Sequence, residues 1–177
     1  PGEDRLSFAD VLRAIDAMPK PVILVIKQDL PEAWKIKSGL SGGNMTTALK
    51  AVGVIGVISD GPSRDIDEIR PMKVQYMLTG VTAGHGSYGI KAINVPVSVC
   101  SMDVSPGEII HMDENGAVKF PREYLAKVLD LAGKLQVQEV SRQAKIARER
   151  GFAIHDHSLY LYADCLKADC PDRPKDG

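Results

Sequence analysis

Cysteine is scarce in this chain, with three residues in 177, an odd number and widely spaced. That excludes a disulfide framework in a chain of this size and fits a reducing compartment. Long apolar runs are absent too, so no segment reaches the length needed to cross a bilayer. The opening residues, Pro1-Gly2-Glu3-Asp4-Arg5, lack the cationic and apolar blocks of a secretion signal. Charge of one sign is lacking as well: 22 basic against 23 acidic residues leave a net charge of -1, which disfavours nucleic acid and membrane surfaces as partners. The expected location is therefore cytoplasmic. What the chain has is 44% hydrophobic content, enough for one well-buried domain. That domain is expected over residues 1–150, followed by a tail over 151–177. The first residue is Pro and not Met, so the chain is expected to be a trimmed version of something longer.

Periodicity sets out the elements. Leu6, Ala9, Leu12 and Ile15 recur at helical spacing over 4–17, stopped by Pro19 and Pro21. Val22 to Ile26 is β-branched and apolar enough for a buried strand, ending in the polar trio Lys27, Gln28 and Asp29. A loop over 30–41 carries the single Trp34, and Ser41-Gly42-Gly43-Asn44 then opens a helix over 45–52. Val54 to Ile58 is bracketed by glycines and suits a strand covered on both faces. Further strands are expected over 73–78, 90–99 and 109–112, and Asp113-Glu114-Asn115-Gly116 reads as a hairpin turn. A loop over 79–89 holds four glycines around His85 and is expected to serve as a lid. A long helix runs from Pro121 to about Arg150, where Gly151 stops it. The fold class is α/β.

Arg64 and Asp65 stand just beyond the strand that ends near Ser59, where ligands of such sheets tend to sit. Side by side they offer a guanidinium fork for a carboxylate and a carboxylate for a divalent cation. The plainer alternative has Asp65 capping a short helix through Ile69, with Arg64 as a surface charge. The helix opened by Gly42, Gly43, Asn44 and Met45 presents unpaired N–H groups and a positive dipole end that suit a small carboxylate, or it is merely a flexible turn.

Taken together, Gly42 with its polar helix start, Gly53-x-x-Gly56-x-Ile58-x-Asp60-Gly61-x-x-Arg64-Asp65, Pro106-Gly107-Glu108 and Asp113 through Pro121 resemble the RraA-like family over roughly residues 10–150. That family includes the divalent-metal class II 4-hydroxy-4-methyl-2-oxoglutarate aldolases and the regulator of ribonuclease E activity. The resemblance implies a swivelling β/β/α three-layer domain assembled as a homotrimer or hexamer, with a further N-terminal segment that this chain lacks. It implies a lyase acting on a small 2-oxo acid that yields pyruvate, with oxaloacetate decarboxylation through the same enolate. Arg64 would bind the carboxylate, Asp65 would hold Mg2+ or Mn2+, and the backbone of Gly43, Asn44 and Met45 would add donors. The resemblance also implies an alternative, a non-catalytic regulator with a protein partner, because the aldolases carry an Asp where this chain has Gly43. Cys100-Ser101 likewise replaces a frequent Gly-Gly pair.

Other residues have two readings each. His85 is an acid or base of the lid, or an exposed loop histidine. His155, His157, Cys165 and Cys170 are a metal cluster, or part of a partly helical tail. Lys27 and Asp29 flank the expected pocket or simply end a strand. Asp60 orients the Arg64 loop or accepts N–H groups within its own turn. Glu139, Glu149 and Asp156 are candidates for the acidic residue that a partner subunit lends to the aldolases.

Overall fold

The computed structural model describes residues 6–86, 88–157 and 161–165. They fall into two compact units, one up to Arg122 and one from Glu123 onward. The first unit opens with helix α1 (Phe8–Asp16), started by a capping box in which Ser7 and Asp10 exchange hydrogen bonds with each other's backbone N–H. Three parallel strands follow in the spatial order β1 (Val22–Ile26), β2 (Val54–Ser59), β3 (Gln75–Met77). Between β1 and β2 lie a short helix α2 (Glu32–Lys35) and the helix α3 (Gly43–Ala51). Between β2 and β3 lies the single turn α4 (Ile66–Ile69).

Side chains alternate across the sheet, and each face has its own core. Val22 and Val57 of the strands pack with Ile15 of α1 and Leu49 of α3, joined by Leu24, Ile26 and Tyr76. Leu49 is fully buried, a contribution of about 1.5–3 kcal/mol from apolar transfer alone. On the other face Ile58 packs with Val99 and Met112, joined by Ile23, Val25 and Met77. This second layer consists of two antiparallel pairs, β4 (Val97–Val99) with β5 (Met102–Val104) and β6 (Ile109–Asp113) with β7 (Gly116–Phe120). Helices, parallel sheet and antiparallel pairs make three layers, so the expected α/β class holds. Gly56 shows how close the middle contact is, since a Cβ there would lie 3.0 Å from Met112 Sδ.

The turn between β4 and β5 explains one oddity of the sequence. Cys100 and Ser101 both have positive φ, 49° and 66°, the conformation of a two-residue hairpin turn that glycine adopts freely. The chain keeps the backbone of a Gly-Gly turn with side chains that strain it by about 1–2 kcal/mol each.

Strand extent is where expectation fails most. Only Val97–Val99 of the expected strand 90–99 is extended and paired, because Asn94 takes a left-handed φ of 57° that interrupts the run. The second unit contains the long helix α5 (Leu125–Glu149), which ends as expected at Gly151 with φ 80°. It packs against the antiparallel hairpin β8 (Phe152–His157) and β9 (Leu161–Cys165), where a partly helical tail was expected. Cys170 lies outside the described residues, as do the side chains of His155, Asp156, His157 and Cys165. No helix among the described residues is long and apolar enough to cross a membrane.

Candidate active site

The loops leaving the C-terminal ends of the parallel strands continue the order of the sheet as isolated bridges, Ser41 beside Ser63 and Ser63 beside Val81. Ser63 is fully buried and acts as the rivet: its hydroxyl donates to Ser41 O, its N–H donates to Gly80 O, and its carbonyl accepts from Thr82 N–H. That arrangement fixes the next two residues. Arg64 donates its backbone N–H to Ser41 O at 3.2 Å and its Nη1 to Gly39 O at 2.7 Å. Its guanidinium is thus held by one backbone carbonyl and still has donors to offer a carboxylate.

Asp65 occupies the N-cap position of α4, yet it caps a different helix. Its φ of 58° and ψ of 40° are left-handed, its carboxylate makes no cap bond to α4, and Oδ2 instead accepts the N–H of Gly43, the first residue of α3, at 3.0 Å. Arg64 Nε lies 3.5 Å from the same oxygen. A left-handed Asp is a strained choice that the surrounding loop enforces, and the strain aims the side chain across to α3. Asp65 thus stands at the start of α4 without making the cap expected there, and its carboxylate faces the glycine pair of α3.

The glycine pair is required by this approach. A Cβ on Gly42 would lie 2.3 Å from Asp65 Oδ2 and 2.9 Å from Arg64 Nε, and a Cβ on Gly43 would lie 2.0 Å from Oε2 of Glu68. Two carboxylates and a guanidinium thus fill the space where side chains of residues 42 and 43 would be. Glu68 was not singled out in the sequence, and only the emptiness of Gly43 hinted that something would need the room. Of the three expected backbone donors, Gly43 N–H is taken by Asp65, whereas those of Asn44 and Met45 have no acceptor among the described residues. The side chain of Met45 packs into the core.

A second polar network lies at the end of β1. Asp60 accepts from Gln28 N–H at 2.8 Å and from Lys35 Nζ at 2.9 Å, and Lys27 Nζ lies 2.8 Å away. Burial pushes the Asp60 carboxyl up, but the Gln28 N–H and the two ammonium groups outweigh it and hold the carboxyl below its ordinary value. The hydrogen bond that Lys35 donates to Asp60 raises the lysine, against the opposing effect of burial. Asp60 therefore orients loops across 32 residues of sequence and does not serve its own turn, where Gly61 N–H goes to Ser59 Oγ. Lys27 belongs to this network, and Asp29 pairs with Lys91 at the surface.

The remaining candidates stand elsewhere. His85 is exposed, and the first half of the expected lid is tied down: Gly39 N–H donates to Gly84 O, and a Cβ on Gly84 would meet Lys37 O. Gly84 serves close approach to the neighbouring loop, whereas Gly80 and Gly89 have open space around them. Glu139 and Glu149 are exposed on α5. Among the described residues no group of three or more His, Cys, Asp or Glu side chains could hold a metal ion. Asp65 and Glu68 over the glycine cradle nevertheless fit a hard divalent cation, since Mg2+ is usually held by one or two protein carboxylates, with water and substrate completing its shell.

Comparison with known proteins follows the first unit closely. The profile of a family described as RraA-like, Aldolase/RraA, matches residues 4–119. The 4-hydroxy-4-methyl-2-oxoglutarate aldolase of Thermus thermophilus is 28% identical over 49% of this chain and 53% of that protein. The structure of RraAS2 from Streptomyces coelicolor, described as an unusual member of the RNase ES inhibitor RraA family, superposes with a TM-score of 0.61 at 27% identity, covering 75% of this chain and 68% of that one. A stretch of 34 residues is 62% identical to the ferric uptake regulation protein of Cupriavidus metallidurans, 19% of this chain and 24% of that protein. The chain spans less than two thirds of the length of the curated relatives it matches, 55%, 64% and 53% of three of them.

Proposed function

This chain belongs to the RraA-like, Aldolase/RraA family, and on that premise we propose that it is a divalent-metal-dependent lyase acting on a 2-oxo acid that yields pyruvate, such as 4-hydroxy-4-methyl-2-oxoglutarate or oxaloacetate. The observation that carries the reading is the Arg64–Asp65 pair, aimed together at the glycine start of α3. Arg64 offers its remaining guanidinium donors to the substrate carboxylate and fixes the plane of the 2-oxo acid. The N–H groups of Asn44 and Met45, which have no acceptor among the described residues, lie at the positive end of α3 and favour the negative charge that develops as the carbon-carbon bond breaks. Asp65, with Glu68 beside it, is the carboxylate that would hold Mg2+ or Mn2+. When bound, the cation supplies Lewis-acid stabilisation of the enolate, so no lysine Schiff base is required.

Titration of Mn2+ with and without oxalate, a mimic of the enolate, tests the reading on the unmodified chain, Asp65→Ala and Arg64→Ala. The expected result is metal-dependent oxalate binding that both substitutions abolish, accompanied by metal-dependent release of pyruvate from oxaloacetate. A folded chain that binds neither metal nor oxalate refutes it. That outcome favours the second reading, a non-catalytic trimer or hexamer that binds a protein partner, for which Gly43 in place of the aldolases' Asp is the specific support.

A further inference from the structure

We infer that Glu68 is the second protein carboxylate of the Arg64–Asp65 site, and that Gly43 is glycine because Glu68 lies across it. The inference rests on the lyase reading above and adds a residue to it. A Cβ at position 43 would be 2.0 Å from Glu68 Oε2, 3.1 Å from its Cδ and 3.2 Å from its Cβ, so the side chain lies over Gly43 along its length. The neighbouring Gly42 has the Asp65 carboxylate in the same relation, at 2.3 Å from its Cβ position. Asp65 and Glu68 thus fill the side-chain spaces of two consecutive residues at the start of α3.

Carboxylates gathered in this way repel each other unless positive charge compensates. The described residues provide only part of that compensation. Asp65 has the Gly43 N–H and Arg64 Nε. Glu68 is exposed and forms no salt bridge with any described residue. Its backbone is fixed by the N–H bond to Asp65 O at 3.0 Å in the single turn of α4, so the residue is carried at a set place beside Asp65. A carboxylate without a salt-bridge partner among the described residues, beside the one proposed to face the metal, is the donor that a hard divalent cation would take next. A side chain at residue 43 and the carboxylate of residue 68 are alternative occupants of one space.

The test is Mn2+ titration of the full chain, with and without oxalate, for Glu68→Gln, Gly43→Ala and the pair Gly43→Asp with Glu68→Ala. Glu68→Gln keeps size and shape and removes the charge and one acceptor oxygen, so Mn2+ affinity is expected to fall 10- to 100-fold with an unchanged melting temperature. Gly43→Ala is expected to weaken Mn2+ similarly by pushing Glu68 aside. The paired substitution, which returns a carboxylate to the vacated space as in the aldolases, is expected to regain at least tenfold over Gly43→Ala, while the loss of Mn2+ affinity in Glu68→Gln at an unchanged melting temperature is the result that a purely structural role for Glu68 would not give. If Glu68→Gln binds Mn2+ as tightly as the unmodified chain while Asp65→Ala does not, Glu68 is outside the site and the inference falls with the lyase reading intact. If the unmodified chain binds no Mn2+, both fall.

Discussion

Replacing Asp60 by alanine removes the acceptor on which three donors converge. The side chains of Asp60 and Lys35 retain only 8% and 11% of their exposure, so the ion pair between them is a buried one. Breaking such a pair by deleting one partner costs about 3–5 kcal/mol, because the other charge stays buried and uncompensated. Two features of the structure set the value at the low end. Lys35 keeps a weaker contact to Glu32 at 3.6 Å, and Lys27, 43% exposed, can turn into water. The Gln28 N–H is left without an acceptor in either case. Asp60→Ala is therefore expected to lose about 3 kcal/mol, and Asp60→Asn, which preserves an acceptor for Gln28, about 2 kcal/mol. The decisive comparison is Asp60→Ala with Lys35→Met, which removes both charges and should recover at least about 1 kcal/mol over Asp60→Ala alone. Urea unfolding followed by far-UV circular dichroism gives these differences, and hydrogen exchange at the Gln28 amide localises them. A loss below about 1 kcal/mol for Asp60→Ala, or additivity in the double variant, would refute the description of this network as buried and coupled.

Two further outcomes follow from the same loops. Gly42→Ala would put a Cβ 2.3 Å from Asp65 Oδ2 and 2.9 Å from Arg64 Nε, so Mn2+-dependent oxalate binding is expected to fall by at least about tenfold while helix content is kept, measured by titration and circular dichroism. The pH profile of unfolding should show a plateau with two shoulders. Asp60 has a folded-state value below its unfolded one of about 3.9, so its contribution is present above that pH and is lost as pH falls through the folded value. Lys35 is raised above about 10.4, so its contribution is present below that pH and is lost as pH rises through the folded value. In Asp60→Asn both shoulders should flatten, and an unchanged profile would refute the assignment.

Local chemistry was legible in the sequence wherever it was decided locally. The strand Val22–Ile26 and the start of the strand at Val54 were read from β-branched runs bounded by Pro and Gly, and these bounds recur in the structure. The stop at Gly151 and the hairpin turn at Asp113–Gly116 were read from glycines that the backbone does use at positive φ. The short helix after Asp65 belongs to one of the two readings of that residue, but the cap that reading expects is not made, because nothing in Arg64-Asp65-Ile66 indicates that the carboxylate crosses 22 residues of sequence to Gly43. Lys35 was invisible for the same reason. A lysine in a polar loop reads as solvated, and only pairing with Asp60, 25 residues away, buries it.

The candidate site shares a further property that limits what residue types can reveal. Ser38 O accepts from Gln28 Nε2, Gly39 O from Arg64 Nη1, and Ser41 O from both Arg64 N–H and Ser63 Oγ. One segment between α2 and α3 thus presents its carbonyls to the Asp60 network on one side and to the Arg64 loop on the other. Every residue type offers that acceptor, so the positions that clamp the site have no side-chain signature. What the segment does require is close approach, and Gly39 satisfies it with a Cβ position 3.1 Å from Gly84 O. The glycines at 39 and 84 are therefore the visible trace of loops held together by backbone, and those at 42 and 43 leave the room that Arg64, Asp65 and Glu68, the residues of the proposed site, occupy.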